Sequence, residues 1–133
     1  MLCLDTSAVI ALMIGRDHRV CEKFRMALER GVSVPIHVAF ELWYGVWNSS
    51  RVQENSERMT TFFSAPIPLL PFDADDAQEA GQIRAYMKRA GTPIGPYDIL
   101  IAAQVRRRRA ALATLNAAEF ARVPGLIVDN WAA

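Results

Sequence analysis

The stretch LCLDTSAVIALMI, residues 2–14, decides the fold. Leu2 to Leu4 is an uncharged apolar run that ends on an acid, Asp5. Thr6 and Ser7 are helix-capping residue types, and Ala8 to Ile14 continues at helical length. The stretch therefore reads as a short buried strand feeding a helix. Outward from it the same alternation repeats. Asp17 caps a second helix, with Val20, Phe24, Ala27 and Leu28 at helical spacing, and Gly31 ends it. Val32 to Pro35 is a second strand, and His37 to about Ser49 is a helix carrying Phe40, Trp43, Tyr44 and Trp47. Residues 50–64 read as a polar helix ending in Phe62 and Phe63, and Pro66 and Pro68 bracket a third strand at Leu69 and Leu70. Asp73 to Ala90 is a long helix with Asp75 and Asp76 in its first turn and Lys88 and Arg89 in its last, matching the helix dipole. After the turn-rich GTPIGP, a helix runs from Tyr97 to Arg109. Ala111 to Leu115 and Leu126 to Val128 are the last two strands. Strands this short, apolar throughout and separated by helices predict an α/β domain with a mostly parallel sheet of about five strands and right-handed crossovers.

A chain of 133 residues has room for one domain, residues 1–133, and its 52% hydrophobic content fills a core without staples. Cys3 and Cys21 lack metal-ligand spacing, which suits a reducing cytosol, and His18 and His37 are too isolated for a zinc site. No uncharged apolar stretch approaches the ~20 residues of a membrane span, and no export signal is visible. Net charge is +1, so no global basic field announces nucleic acid. The charge is nevertheless polarised: residues 1–83 carry 7 basic and 11 acidic side chains, residues 84–133 carry 8 and 3, and 13 of the 15 basic residues are Arg.

In parallel α/β folds ligands gather beyond the carboxyl ends of the strands, near the point where strand order reverses. Asp5 ends the first strand, Glu41 sits about a turn and a half into the helix after the second, Asp98 falls near the third position of its helix, and Asn116 and Glu119 follow the fourth strand. Gathered acids repel one another unless protons or a hard cation neutralise them, and an oxygen-only donor set points to Mg²⁺ or Mn²⁺. Each acid also has an ordinary explanation. Asp5 and Asp98 suit helix starts, and Asn116 suits a turn. Glu41 is the exception, because residues 38–47 are otherwise uncharged and an idle buried carboxylate is costly. The absence of G-x-G-x-x-G, G-x-x-x-x-G-K-[ST] and G-x-S-x-G disfavours dinucleotide, P-loop and serine-hydrolase sites. Arg106 to Arg109 end the helix that Asp98 opens and read as dipole-matched, solvated surface. Arg84, Lys88 and Arg89, whose helix leads into the loop before Asp98, are the better candidates for phosphate contacts.

LDTSAVIAL, FELWYG, GTPIGPYDILIAA and TLNAAEF, with VPGLIVDNW behind them, resemble the PIN-domain ribonucleases of the VapC toxin type, essentially end to end. The resemblance implies a PIN-like three-layer α/β domain and a Mg²⁺- or Mn²⁺-dependent endoribonuclease, the toxin half of a type II toxin–antitoxin module in the cytoplasm. On that resemblance Asp5, Glu41 and Asp98 are the metal and catalytic acids, and either Asn116 or Glu119 completes the site. Thr6, Ser7 and Thr114 match small polar positions beside the metal. It further implies hydrolysis leaving 5′-phosphate and 3′-hydroxyl ends, structured RNA such as transfer RNA as substrate, a homodimer, and a VapB-type antitoxin seated near the active site. Trp43, Tyr44, Trp47, Phe62 and Phe63 hold more aromatic surface than a small core needs, which fits such a partner. A silent partner-binding module and a metal-dependent DNA nuclease are the competing readings.

Overall fold

A computed structural model describes residues 1–133. Twelve elements follow one another: β1 (Leu2–Leu4), α1 (Thr6–Ile14), α2 (His18–Leu28), β2 (Val32–Pro35), α3 (Ile36–Trp47), α4 (Val52–Phe63), β3 (Leu69–Leu70), α5 (Ala74–Ala90), α6 (Pro96–Arg107), β4 (Ala111–Thr114), α7 (Ala117–Phe120) and β5 (Ile127–Asn130). The five strands form one sheet in the order β3-β2-β1-β4-β5, and every pairing is parallel. Leu2 stands opposite both Val32 and Ala111, so β1 is the centre of the sheet. The chain moves outward from β1 to β3, then crosses back to lay β4 on the other side of β1. That reversal makes β1/β4 the switch point.

The core explains the apolar strands. Cys3, Leu4, Val34, Leu112 and Ala113 are buried, and the helices press Val38, Ile83, Met87, Ile101 and Val105 onto them. Burial also raises the pKa of the Cys3 thiol to about 11, although Arg108 and the amino terminus pull the other way, so it packs as a small hydrophobe. No helix is long and apolar enough to cross a membrane.

Three local readings change. The cap of α1 is Asp5, not Thr6 or Ser7: its carboxylate accepts from the Ala8 N–H at 2.8 Å, and the helix starts at Thr6. Asn116–Phe120 is not a plain turn, since α7 forms there. The last strand runs Ile127–Asn130 because it must pair with all of β4, Thr114 facing Asn130.

The larger correction concerns Arg106 to Arg109. Only Arg109 is exposed surface. Arg106 donates to Glu79 at 2.9 Å and to Gln82 at 2.7 Å. Arg107 donates to Asp76 at 2.6 Å and Asp73 at 2.7 Å, and Arg108 donates to Asp76 at 2.9 Å. Asp76, fully buried, thus joins the start of α5 to the end of α6, while Asp73 and Asp76 also form a capping box. The run faces acids some thirty residues upstream that no local pattern reveals.

Candidate active site

The loops at the carboxyl ends of β1 and β4 bring Asp5 and Thr114 together across the switch point. Asp5 is buried, and its N–H donates to the Ala113 carbonyl at 3.1 Å, which locks the backbone. Ser7 donates to Asp5 Oδ1 at 2.7 Å, and the Thr114 hydroxyl donates to Oδ2. Ser7 in turn accepts the Leu115 N–H at 3.0 Å, so the two hydroxyls stitch both strand ends to one carboxylate. Thr6 reaches the other way and donates to Glu41 Oε1 at 3.0 Å, tying α3 to α1 across 35 residues of sequence. The three small polar residues hold the acids in place.

Asp98 lies in the first turn of α6, after Pro96 at a position that tolerates proline. Its backdrop is Gly95, where an added Cβ would stand 3.2 Å from Asp98 Oδ2. The Gly95 N–H also faces Glu119 Oε1 at 3.4 Å. Glu119, on α7, is half-buried beside Asp98, whereas Asn116 is exposed and its side chain bonds to nothing. Of the two residues left open after β4, Glu119 is therefore the one that joins the acids. Sequence reading passes over Gly95 as a turn residue; its signal was the G-P-x-D order, with a glycine one turn before an acid.

The electrostatics follow from proximity. Burial raises the Asp5 pKa above its ordinary 3.8, although hydrogen bonds from Thr114, Ser7 and Ala8 oppose it. Burial also raises Glu41, with Thr6 opposing and the charge of Asp5 adding. For Asp98 burial comes first, then a shared hydrogen bond with Glu119 and the charges of Glu119, Glu41 and Asp5, and together they push it up to about 7. Asp98 thus feels all three other carboxylates. None of the four is ion-paired with an Arg, Lys or His. The oxygens are not closed on one point, since no three His, Cys, Asp or Glu side chains are gathered tightly enough to hold an ion as they stand. An all-carboxylate set in which Asp5, Glu41 and Asp98 have raised pKa values, and which has no basic side chain among its partners, fits a hard divalent ion.

Beside Glu41 a groove of about 290 Å³ opens between α1, α3 and α4, floored by Leu42, Val46 and Met59 with Ile10 and Ile14 on its edge. Trp43, Phe62 and Phe63 pack against the core, while Tyr44 and Trp47 face solvent. Arg84 and Lys88 line a second groove of about 940 Å³ between α5 and α6, Arg89 lies beyond it, and none of the three is ion-paired.

A family model described as PIN domain matches residues 2–126. The chain is 33% identical over 128 residues, 96% of each protein, to a tRNA(fMet)-specific endonuclease VapC of Salmonella typhimurium. It superposes with a TM-score of 0.90 on DNA-bound VapBC from Salmonella typhimurium, at 32% identity and covering 98% of this chain and 97% of that one. VapBC2 from Rickettsia felis, bound to a promoter DNA fragment, gives 0.91 at 27% identity over 98% of both chains.

Proposed function

The chain belongs to the PIN-domain family and within it to the VapC ribonucleases, and from that premise we propose that it is an endoribonuclease toxin that hydrolyses phosphodiester bonds in structured RNA. The observation that carries the proposal is the placement of Asp5, Glu41, Asp98 and Glu119 around the switch point, near enough that the charges of the other three act on Asp98, with no basic side chain paired to any of them. Asp5 and Asp98 would hold a Mg²⁺ or Mn²⁺ ion. The chemistry it supplies when bound is a water of lowered pKa and neutralisation of charge on the phosphoryl oxygens. Glu41, tethered at Oε1 by Thr6, keeps Oε2 for the attacking water and accepts its proton. Glu119 sits against Asp98 and its charge opposes ionisation of that carboxyl, a repulsion that a bound cation would relieve. The products carry 5′-phosphate and 3′-hydroxyl ends. Inducible expression of the wild type and of Asp98→Ala, with growth followed and RNA ends mapped, tests the activity. Growth arrest without new ends, or DNA cut in preference to RNA, would defeat it.

The substrate we assign is transfer RNA, in the cytoplasm; the relative named as tRNA(fMet)-specific and the GTPIGPYD loop support it. Arg84, Lys88 and Arg89 are free to meet phosphates. Arg84→Ala is expected to weaken RNA binding and lower the slope of log K against log salt by about 1. The partner is a VapB-type antitoxin, and the groove leading to Glu41 has the apolar lining that the face of an amphipathic helix requires. The assembly we assign is a homodimer of the toxin bound to that antitoxin.

Gly95 adds a prediction. Its φ of −57° and ψ of 148° suit alanine, so Gly95→Ala is expected to leave Tm unchanged or slightly raised. The new methyl displaces the Asp98 carboxylate, and kcat is expected to fall roughly tenfold or more. Steady-state cleavage beside a melting curve checks both.

A further inference from the structure

A strand that presents a phosphodiester to four carboxylates is repelled by them, so the nearest contacts that hold it must act without charge. The cations free of ion pairs on α5 line or flank a groove formed with Pro96, Ile99 and Leu100 of α6. Asp98 is not among that groove's lining residues. The residues directly before two of the acids are aromatic. Phe40 precedes Glu41 and Tyr97 precedes Asp98, and their rings meet from two different helices with centroids 5.2 Å apart at 58°. Neither ring packs on the core, and they are 50% and 47% exposed. Two large apolar surfaces left in water at the rim of a site are a cost to folding that packing does not explain.

We infer that Phe40 and Tyr97 form a stacking platform for an unpaired base of the RNA strand, next to the phosphodiester laid at the carboxylates. The inference rests on the ribonuclease reading and names the form of substrate: a single-stranded loop or end, not a duplex. An aromatic face accepts any base and needs no charge, which suits a rim where phosphates are repelled. The pair joins the same two helices, α3 and α6, that carry Glu41 and Asp98, one residue before each acid. Elsewhere on the outer face of α3, Tyr44 and Trp47 are exposed without a partner ring from a second helix.

The test uses the full chain with a short single-stranded RNA and its duplex, in EDTA for binding and in Mn²⁺ for cleavage. Phe40→Ala and Tyr97→Ala are each expected to weaken single-strand binding and raise KM about tenfold, with kcat within about twofold and Mn²⁺ affinity kept. Phe40→Trp is expected to retain binding and to show fluorescence quenching, beyond that of the wild type, on adding single-stranded RNA but not duplex. Tyr86→Ala, which removes an exposed ring far along α5, controls for loss of surface aromatic area. Unchanged KM and Kd in both alanine variants, with no added quenching, would overturn the inference while leaving the ribonuclease reading intact. Variants that dissociate from dimer to monomer in light scattering, with RNA affinity kept, would overturn it equally, since the face would then join two copies. A wild type that neither binds nor cuts RNA removes the ribonuclease reading, and the platform with it.

Discussion

Asp98→Asn is expected to abolish RNA cleavage and, in the same protein, to raise Tm at pH 8 in the absence of divalent ions. The two effects have one cause. Burial, the hydrogen bond shared with Glu119 and the charges of Glu119, Glu41 and Asp5 set the Asp98 pKa at about 7, against an ordinary 3.8. A carboxyl whose folded pKa is raised contributes stability that is full below pH 3.8 and is lost as pH climbs through about 7. At pH 8 the metal-free protein therefore holds an ionised carboxylate against its surroundings. Solvent reaches this half-exposed side chain and screens most of the effect, leaving about 1 kcal/mol, or a Tm change of ~3–5 °C. Asparagine keeps the shape and removes the charge. It also removes an oxygen that an ion would use, and loss of one group that stabilises transition-state charge costs roughly 10³-fold in rate. Melting curves from pH 4 to 8 should fall with pH in the wild type and stay flatter in the variant, and added Mn²⁺ should stabilise the wild type alone. A variant that cuts RNA at the wild-type rate would remove Asp98 from the chemistry, and one with a lower Tm at pH 8 would contradict the repulsion.

Asp76→Ala is expected to be the most destabilising single change among the charged residues outside the site. Asp76 has no solvent exposure, yet it takes hydrogen bonds from Arg107 and Arg108 and closes the capping box with Asp73. Burial alone would raise its pKa, but the hydrogen bonds from Arg108 and Arg107, the Asp73 N–H and the charge of Arg108 outweigh it and hold the group at about 2. Truncation leaves Arg108 without a carboxylate, takes one of the acceptors of Arg107 and opens the capping box, which together cost about 3 kcal/mol, or roughly 10 °C in Tm for a chain of this length. Glu54→Ala, which breaks exposed pairs with Arg51 and Arg58, should move Tm by no more than about 2 °C. Because the Asp76 pKa is depressed, its contribution is present above pH 3.8 and lost as pH falls through about 2. Acid unfolding of the wild type in that window, absent as a distinct step in Asp76→Ala, checks the sign.

Most of the fold was legible because it is written in local terms. Short apolar runs between turn residues mark the strands, Asp17 is a good cap, and Pro96 marks a helix start. The acids were legible as candidates for a similar reason, since each stands where a strand or helix begins or ends or, like Glu41, alone in an apolar helix. Arg106 to Arg108 were misread because their partners lie on α5, and a charge run says nothing about which distant acid it meets.

What the sequence by itself determined is the alternation of strands and helices, the oxygen-only character of the candidate site and the family. Periodicity, caps and residue type act within a few positions of chain, so one dimension is enough to read them. The tertiary structure alone decided that Glu119 and not Asn116 meets Asp98, that Thr6 holds Glu41, and that Gly95 leaves room for a carboxylate. Those choices are set by where α7, α3 and α6 come to rest around the switch point, and that depends on packing among residues dozens of positions apart.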